Sequence, residues 1–208
     1  MFNRLLILSL GALALSGARG RSQAPAPEII VYASELPARA LSEFDFWNDP
    51  GSPGGKLVGT PNHGEDLDPP PENDPHVTFT VPVRSEVPYR CWIHMKVGAP
   101  KGVSQANKLF VQFSDAVDGA NKPTLMPGTG SYLTARGPAR PGWTWAGCVQ
   151  GAGGDVKGAE SLISFRTTGE ITVRVQAGME GVGFDQFVLS PARFLGAPPS
   201  ETIVQKTK

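Results

Sequence analysis

The fold is indicated by residues 170–195, which read EITVRVQAGMEGVGFDQFVLSPARFL. In the first half, the apolar side chains of Ile171, Val173 and Val175 alternate with polar ones, which is the two-residue period of a half-buried strand. A glycine-rich turn then leads into a second extended run, which contains the carboxylate of Asp185. A carboxylate inside a strand is costly to bury unless a cation or hydrogen-bond donors satisfy it. The segment therefore predicts a pair of strands and marks Asp185 as a candidate for a special role.

The same short alternating pattern recurs along the rest of the chain, and no window shows a sustained helical period. Further strands are predicted over residues 28–33, 56–59, 76–83, 89–97, 108–114 and 161–166, and from Trp143 onward. Residues 115–142 are rich in Gly, Pro, Asn and Asp and are predicted to be one long irregular insertion. About eight short strands with abundant turn residues are typical of an all-β antiparallel sandwich, and in particular of a jelly roll.

The two ends of the chain differ in composition from the middle. Residues 1–24 contain Arg4, an apolar run and then small residues, the order typical of a secretory signal peptide that is removed. No other stretch is apolar enough to span a bilayer. We therefore expect one domain over residues 25–196, a flexible polar tail over 197–208, and a product that is secreted or located in the periplasm or at the cell surface.

The charge balance argues against a nucleic acid partner. Without the three arginines of residues 1–24, 16 basic residues remain against 19 acidic ones, a formal net charge of −3. A mildly acidic chain without clusters of lysine and arginine does not provide the positive surface that a phosphate backbone requires. A nucleic acid ligand is therefore not expected.

Cys91 and Cys148 are the only cysteines of the chain. In an oxidising compartment they are predicted to form one disulfide, which would stabilise the fold by about 4 kcal/mol because of the long loop that it closes. The alternative is two separate buried thiols.

Aromatic side chains carry the prediction of a binding site. Sugars have apolar faces ringed by hydroxyl groups, so they stack on tryptophan and tyrosine while polar side chains bind the hydroxyls. Trp143 and Trp145 stand two residues apart and share one face of their strand, next to the long insertion. The other candidate ligand-binding residues are Tyr132 and Arg136 within that insertion, and Trp47 and Trp92 elsewhere. The alternative for the tryptophans is packing in the core.

Catalytic residues are not evident, and the protein is predicted not to be an enzyme. The three histidines, His63, His76 and His94, have no spacing that suggests a catalytic triad or a zinc site. Residues 128–131, which read GTGS, lack the spacing of the sharp turn that exposes a nucleophilic serine in α/β-hydrolases. A pair of carboxylates for glycoside cleavage needs only to be close in space, so this alternative stays open.

The order of these landmarks resembles carbohydrate-binding modules of families six and thirty-five, which have a galactose-binding-like jelly-roll fold, and a related group of secreted bacterial modules. The landmarks are YA at residues 32–33, GGK at 54–56, VTFTVPV at 77–83, YRCWIHMK at 89–96, LFVQFSDAVD at 109–118, GWTW at 142–145 and FDQFVLSP at 184–191. The resemblance covers nearly the whole chain after the signal peptide. It implies a non-catalytic, exported module that binds polysaccharide.

The resemblance also implies a structural calcium ion, which such modules hold with a carboxylate of the first strand and an aspartate of the last. Asp185 matches the second position. The first position is Ser34 here, so its neighbour Glu35 is the candidate for the missing ligand. The alternative is that Asp185 accepts hydrogen bonds from the N–H groups of a neighbouring loop without a metal.

Two other functions remain as alternatives to the binding of polysaccharide or another glycan. One is a structural or adhesive envelope protein that binds protein partners, and the other is a small glycan hydrolase. Because modules of the resembling kind are usually attached to enzymes, we expect this chain to act beside a separately encoded enzyme or envelope partner.

Overall fold

Strands form nearly all of the regular structure, as the short alternating patterns predict. The computed structural model describes residues 26–61, 63–98, 107–138, 140–150, 161–200 and 203. The predicted signal peptide and most of the last eight residues lie outside this range. Within it, helical structure is limited to single 3-10 turns at Ala33–Glu35, Ala38–Ala40 and Pro53–Gly55, and no helix is long and apolar enough to cross a membrane.

Thirteen strands are present in the described residues, and their pairings are antiparallel. In chain order they are β1 (Ile29–Tyr32), β2 (Leu41–Ser42), β3 (Asp45–Asn48), β4 (Lys56–Gly59), β5 (His76–Val83), β6 (Tyr89–Val97), β7 (Lys108–Phe113), β8 (Ala116–Val117), β9 (Leu133–Arg136), β10 (Gly142–Gln150), β11 (Leu162–Phe165), β12 (Gly169–Ala177) and β13 (Val182–Ser190).

These strands form two sheets, and β10 takes part in both. The front sheet runs β10-β6-β13-β4-β3, with β1 paired to β13 and β11 paired to β6. The back sheet runs β2-β5-β12-β7-β9-β10. Residues 142–147 of β10 pair with β6, while residues 148–150 pair with β9. The strand therefore turns from one sheet into the other along its length.

The core lies between the two sheets and is filled by every second side chain of their strands. Phe187 of β13 contacts both Phe79 and Phe113 of the back sheet, with ring centroids 5.2 and 6.5 Å apart. Alternation places apolar side chains on one face of each long strand, and in the structure this face is the inward one. Each of these side chains is at most 8% exposed: Val77, Phe79, Val81 and Val83 of β5, Tyr89, Cys91, Ile93 and Met95 of β6, Leu109, Val111 and Phe113 of β7, and Ile171, Val173 and Val175 of β12. The contacts between the sheets produce the predicted antiparallel β-sandwich.

More strands are present than the eight predicted, because several are too short to show an alternating pattern. β8 and β9 lie inside residues 115–142, which the sequence predicted to be irregular. β9 lies between β7 and β10 and pairs with both, so tertiary pairing compensates for its weak local pattern. β2 and β3 escape prediction for the same reason.

The two cysteines are fully buried free thiols on neighbouring strands, Cys91 on β6 and Cys148 on β10. Burial, followed by a hydrogen bond with Cys148, raises the pKa of Cys91 well above its usual range. The structure therefore shows two thiols, as in the alternative, but places them as neighbours instead of separating them. Their pairing as a disulfide in an exported protein stays a prediction.

Candidate functional site

The outer face of the front sheet carries the predicted tryptophan pair. Trp143 and Trp145 of β10 lie opposite Lys96 and His94 of β6. Both tryptophans are half-buried, and neither belongs to the hydrophobic core. The structure therefore places the pair on the outside of the sandwich, where contact with a ligand stays a prediction.

His94 connects the tryptophan pair with the buried carboxylate of the last strand. Its ring stacks on Trp143 with 4.7 Å between centroids and 9° between planes, and it contacts Trp145 at 4.9 Å and 38°. At the same time, its Nδ1 lies 2.7 Å from Oδ1 of Asp185. His94 is 7% exposed, and Asp185 is completely buried. Two features that the sequence shows separately, Asp185 and the tryptophan pair, thus meet at one imidazole ring.

The surroundings of Asp185 do not fit the predicted calcium site. Asp185 lies at an irregularity in the pairing of β13 with β6, and the partner of its Oδ1 is the His94 ring. Its Oδ2 is buried without a hydrogen-bond partner, but Glu35 is exposed. Among the described residues, no group of three or more His, Cys, Asp or Glu side chains is arranged to hold a metal ion. Because Ca²⁺ prefers a full shell of oxygen ligands, these two carboxylates alone are a poor donor set, and calcium binding stays a prediction.

Trp92, another candidate ligand-binding residue, is packed beneath the segment that follows β13, and its contact with a ligand stays a prediction. It is 8% exposed, and its Nε1 donates a 2.7 Å hydrogen bond to the carbonyl of Phe194. The guanidinium of Arg90 lies 5.1 Å from its ring centroid.

The backbone N–H and C=O of Ile203 bond the side chain of Gln186 at 3.0 and 2.8 Å. Ile203, which lies in the predicted flexible tail, is therefore bonded to the front sheet, and the flexibility of the rest of that tail stays a prediction.

The structure does not bring Tyr132 and Arg136 to the tryptophan pair. Tyr132 precedes β9 of the back sheet, and its ring contacts Phe110 of β7 at a centroid distance of 4.9 Å. Arg136 ends β9 opposite Lys108. β9 pairs with β10 only where β10 has turned into the back sheet. The candidate ligand-binding residues Tyr132 and Arg136 therefore lie in or next to the back sheet, whereas the tryptophan pair belongs to the front sheet.

Trp47 is exposed on the front sheet and forms one wall of a cleft. Among the large hydrophobic side chains of the described residues, only Trp47 and Leu162 are exposed, each to 46%. Trp47 lies on the edge strand β3, and its Nε1 donates a 3.2 Å hydrogen bond to the carbonyl of Gly59 on β4. The cleft, called the Trp47 cleft below, has a volume of about 320 Å³. Its lining includes Asn48, Leu57, Thr60, Lys96 and residues 181–183.

Two glycines allow the strands that line the cleft to approach closely. Gly183 of β13 lies opposite Gly59 of β4. A Cβ atom on Gly183 would lie 2.6 Å from the carbonyl oxygen of Val58 and 2.8 Å from Cδ1 of Leu57. Because the nearest atom belongs to the backbone, a side chain at Gly183 would push β4 and β13 apart. The cleft therefore depends on a glycine that the sequence identified only as part of a turn.

Lys96 joins the Trp47 cleft to the tryptophan pair. Its ammonium lies 5.6 Å from the ring centroid of Trp143 and forms an ion pair with Oδ2 of Asp49. The Lys96 ammonium holds the pKa of Asp49 below its usual value, burial acts in the opposite direction, and the N–H of Gly51 adds to the lowering. Neither charged residue was predicted from the sequence as part of a site. The position of Lys96 two residues after His94 on one strand indicated that the two side chains share a face. Asp49 gave no such indication, because it resembled an ordinary turn residue.

Comparison with known proteins agrees with this architecture. No family model and no curated protein matches the chain. A similar solved structure is the GH26-CBM35 β-(1,4)-mannanase of Podospora anserina, with a TM-score of 0.50 and 14% identity over 80% of this chain and 28% of that chain. The chain is a jelly-roll β-sandwich. At such low identity the similarity shows the fold alone, and this chain spans 28% of the length of the mannanase.

Two further similar structures are carbohydrate-binding modules. One is module CBM6cm-2 of Cellvibrio mixtus lichenase 5A in complex with cellotriose, with a TM-score of 0.44 and 14% identity over 79% of this chain and 98% of the module. The other is a family 35 module from Clostridium thermocellum, with a TM-score of 0.42 and 13% identity over 78% of this chain and 98% of that chain.

Proposed function

We propose that the protein binds carbohydrate in the Trp47 cleft and does not catalyse a reaction. One observation carries the proposal: the half-exposed indole of Trp47 is fixed by its own N–H and stands beside the ion pair of Lys96 and Asp49. Water contact with so large an apolar surface is unfavourable, and a ligand that covers it gains that free energy. Because the indole is already fixed, little side-chain entropy is lost when a ligand stacks on it.

A pyranose ring matches the chemistry of both walls of the cleft. Its apolar C–H face stacks on the indole of Trp47, and its hydroxyl oxygens accept hydrogen bonds from Nζ of Lys96. Asn48 and Thr60 supply further polar groups at the rim. An apolar aromatic wall with a few fixed polar groups is the usual composition of a small-molecule site.

The front sheet offers room for more than one sugar unit. A row of paired residues crosses it from Trp143 through Lys96 and Gly183 to Gly59. Three strand spacings amount to about 15 Å, which is the length of a short oligosaccharide. A chain that stacks on Trp47 thus extends over Lys96 toward Trp143, and a polysaccharide is the ligand class that this proposal favours.

The histidines support a binding role over a catalytic one. His63 pairs with Glu180 at the surface, His76 bonds the backbone carbonyl of Asp74, and His94 lies in the front-sheet stack. The three histidines have different partners, and none of them is among the residues that line the Trp47 cleft. Together with the composition of residues 1–24, this supports an exported binding module that acts beside a separate enzyme or envelope partner.

Affinity gel electrophoresis against a panel of plant and microbial glycans, followed by calorimetry on the retained ones, tests the proposal. We expect Trp47→Ala to weaken binding about thirtyfold, because the stacking surface of an indole contributes about 2 kcal/mol. Leu162→Ala is the matched control, since it removes the other exposed apolar side chain and lies outside the cleft. Equal affinity of the wild type and Trp47→Ala, or no retention by any glycan, would contradict the proposal.

A further inference from the structure

We propose that Asp49 makes the Trp47 cleft selective for neutral glycans over acidic ones. The inference rests on the proposed function and concerns a residue that does not itself line the cleft. Among the described residues that line it, Lys96 is the one charged side chain. A lone lysine would recruit carboxylate-bearing sugars, so the partner of Lys96 decides the charge that a ligand meets.

The ion pair is arranged so that a ligand reaches the lysine and not the aspartate. The side chain of Lys96 is 45% exposed, whereas that of Asp49 is 9% exposed. The ammonium group has three donors, and Asp49 accepts one of them. No other hydrogen-bond acceptor for this ammonium is present among the described residues, so its remaining donors point the proposal to an acceptor oxygen in the cleft, directly in front of a buried negative charge.

Asp49 is fixed in this position by the turn that carries it. Its Oδ1 accepts a 2.9 Å hydrogen bond from the N–H of Gly51, and its own N–H donates a 2.9 Å hydrogen bond to the carbonyl of Gly55. The lowered pKa of Asp49 keeps this carboxyl ionised at neutral pH. Because Lys96 also lies against Trp143, neither charge of the pair is able to move far when a ligand enters.

This arrangement separates neutral from acidic sugars. A carboxylate that approaches Lys96 also approaches Asp49, and the repulsion offsets most of the attraction. A hydroxyl oxygen accepts the same hydrogen bond without that repulsion and without the cost of removing a charge from water. Selection against acidic ligands therefore comes from a residue behind the contact surface.

The test compares neutral oligosaccharides of β-(1,4)-linked glucose and mannose with the same oligosaccharides after oxidation of their C6 hydroxymethyl groups to carboxylates. Calorimetry on the full chain gives the affinity ratio of neutral to oxidised probe. We expect the wild type to prefer the neutral probe and Asp49→Asn to shift the ratio toward the oxidised probe by about fivefold, the upper range for an exposed charge pair. The asparagine side chain retains the Oδ1 acceptor for the N–H of Gly51, so the turn is preserved. The shift in the affinity ratio should become smaller in high salt, whereas a shift caused by a structural defect would not depend on salt.

Asp66→Asn is the matched control, because Asp66 also pairs with a lysine, Lys108, at 2.7 Å and lies outside the cleft. Its affinity ratio should equal that of the wild type. An unchanged ratio in Asp49→Asn, together with binding that depends on Trp47, would overturn the inference and leave the proposed function intact. Failure of the wild type to bind either form of both oligosaccharides would count against the proposed function, and the inference would fall with it.

Discussion

Replacement of His94 by alanine is expected to destabilise the protein by about 4 kcal/mol. His94 holds the completely buried carboxylate of Asp185 at 2.7 Å and contacts both Trp143 and Trp145. Alanine removes the partner of Asp185 without providing another, and Oδ2 of that carboxylate already lacks a hydrogen-bond partner among the described residues. The variant therefore leaves a buried carboxyl group without its hydrogen-bond partner.

The magnitude is the sum of two contributions. Leaving a buried polar group without its hydrogen-bond partner costs about 3 kcal/mol at the upper end of measured values for one group. Each of the two lost ring contacts adds about 0.5 kcal/mol. A total of about 4 kcal/mol is a large part of the stability of a domain of this size, which is about 5–15 kcal/mol.

Urea denaturation followed by tryptophan fluorescence measures the change in the free energy of unfolding. His94→Gln, which keeps a donor for Asp185, should recover part of the loss. In a double-mutant cycle, His94→Ala combined with Asp185→Ala should be about 2 kcal/mol less destabilised than the sum of the single variants. His63→Ala is the control, because its contact with Glu180 is a surface pair in which the histidine side chain is 71% exposed. A loss below about 1 kcal/mol in His94→Ala, or an additive cycle, would show that the pair does not stabilise the fold.

Two further predictions concern the cysteines and calcium. In reduced native protein, Cys91 should react with a thiol reagent only after unfolding, because burial and then the neighbouring Cys148 raise its pKa and so suppress the thiolate. Rapid labelling of the native protein would contradict this prediction. The predicted disulfide is tested separately, by counting free thiols in denaturant without reductant. The family resemblance predicts that calcium raises the melting temperature, whereas the described surroundings of Asp185, with a histidine partner and no cluster of ligands, predict no change when calcium is added or chelated. A rise of several degrees with calcium, lost in Asp185→Asn, would establish the predicted ion instead.

The long strands and their inward faces were predictable from the sequence because each depends on a two-residue period that extends over six or more residues. β5, β6 and β12 have this period, and their predicted core faces are buried. β3 and β9 were not predicted, and they form because neighbouring strands offer them partners. Their absence from the prediction is the reason that the edge of the front sheet was not foreseen.

The candidate site was predictable only in its residue types. Alternation predicted that Trp143 and Trp145 share one face of their strand and left open whether that face is exposed or packed in the core; in the structure it is the outer face. Alternation does not show what covers that side, and Trp92 is covered by a segment that lies 102 residues further along the chain. Trp47 became the central residue because an edge strand leaves one indole uncovered.

By itself, the sequence determined that this protein is an antiparallel β-sandwich and which side chains fill its core, because backbone geometry turns local alternation directly into burial. Only the tertiary structure decided which outward residues meet. The turn of β10 from one sheet to the other separates Tyr132 from Trp143, and the pairing of distant strands brings Asp185 to His94. The ion pair of Lys96 and Asp49 joins residues 47 positions apart, and the lining of the Trp47 cleft extends from Trp47 to Gly183. Chain distance carries no information about such contacts.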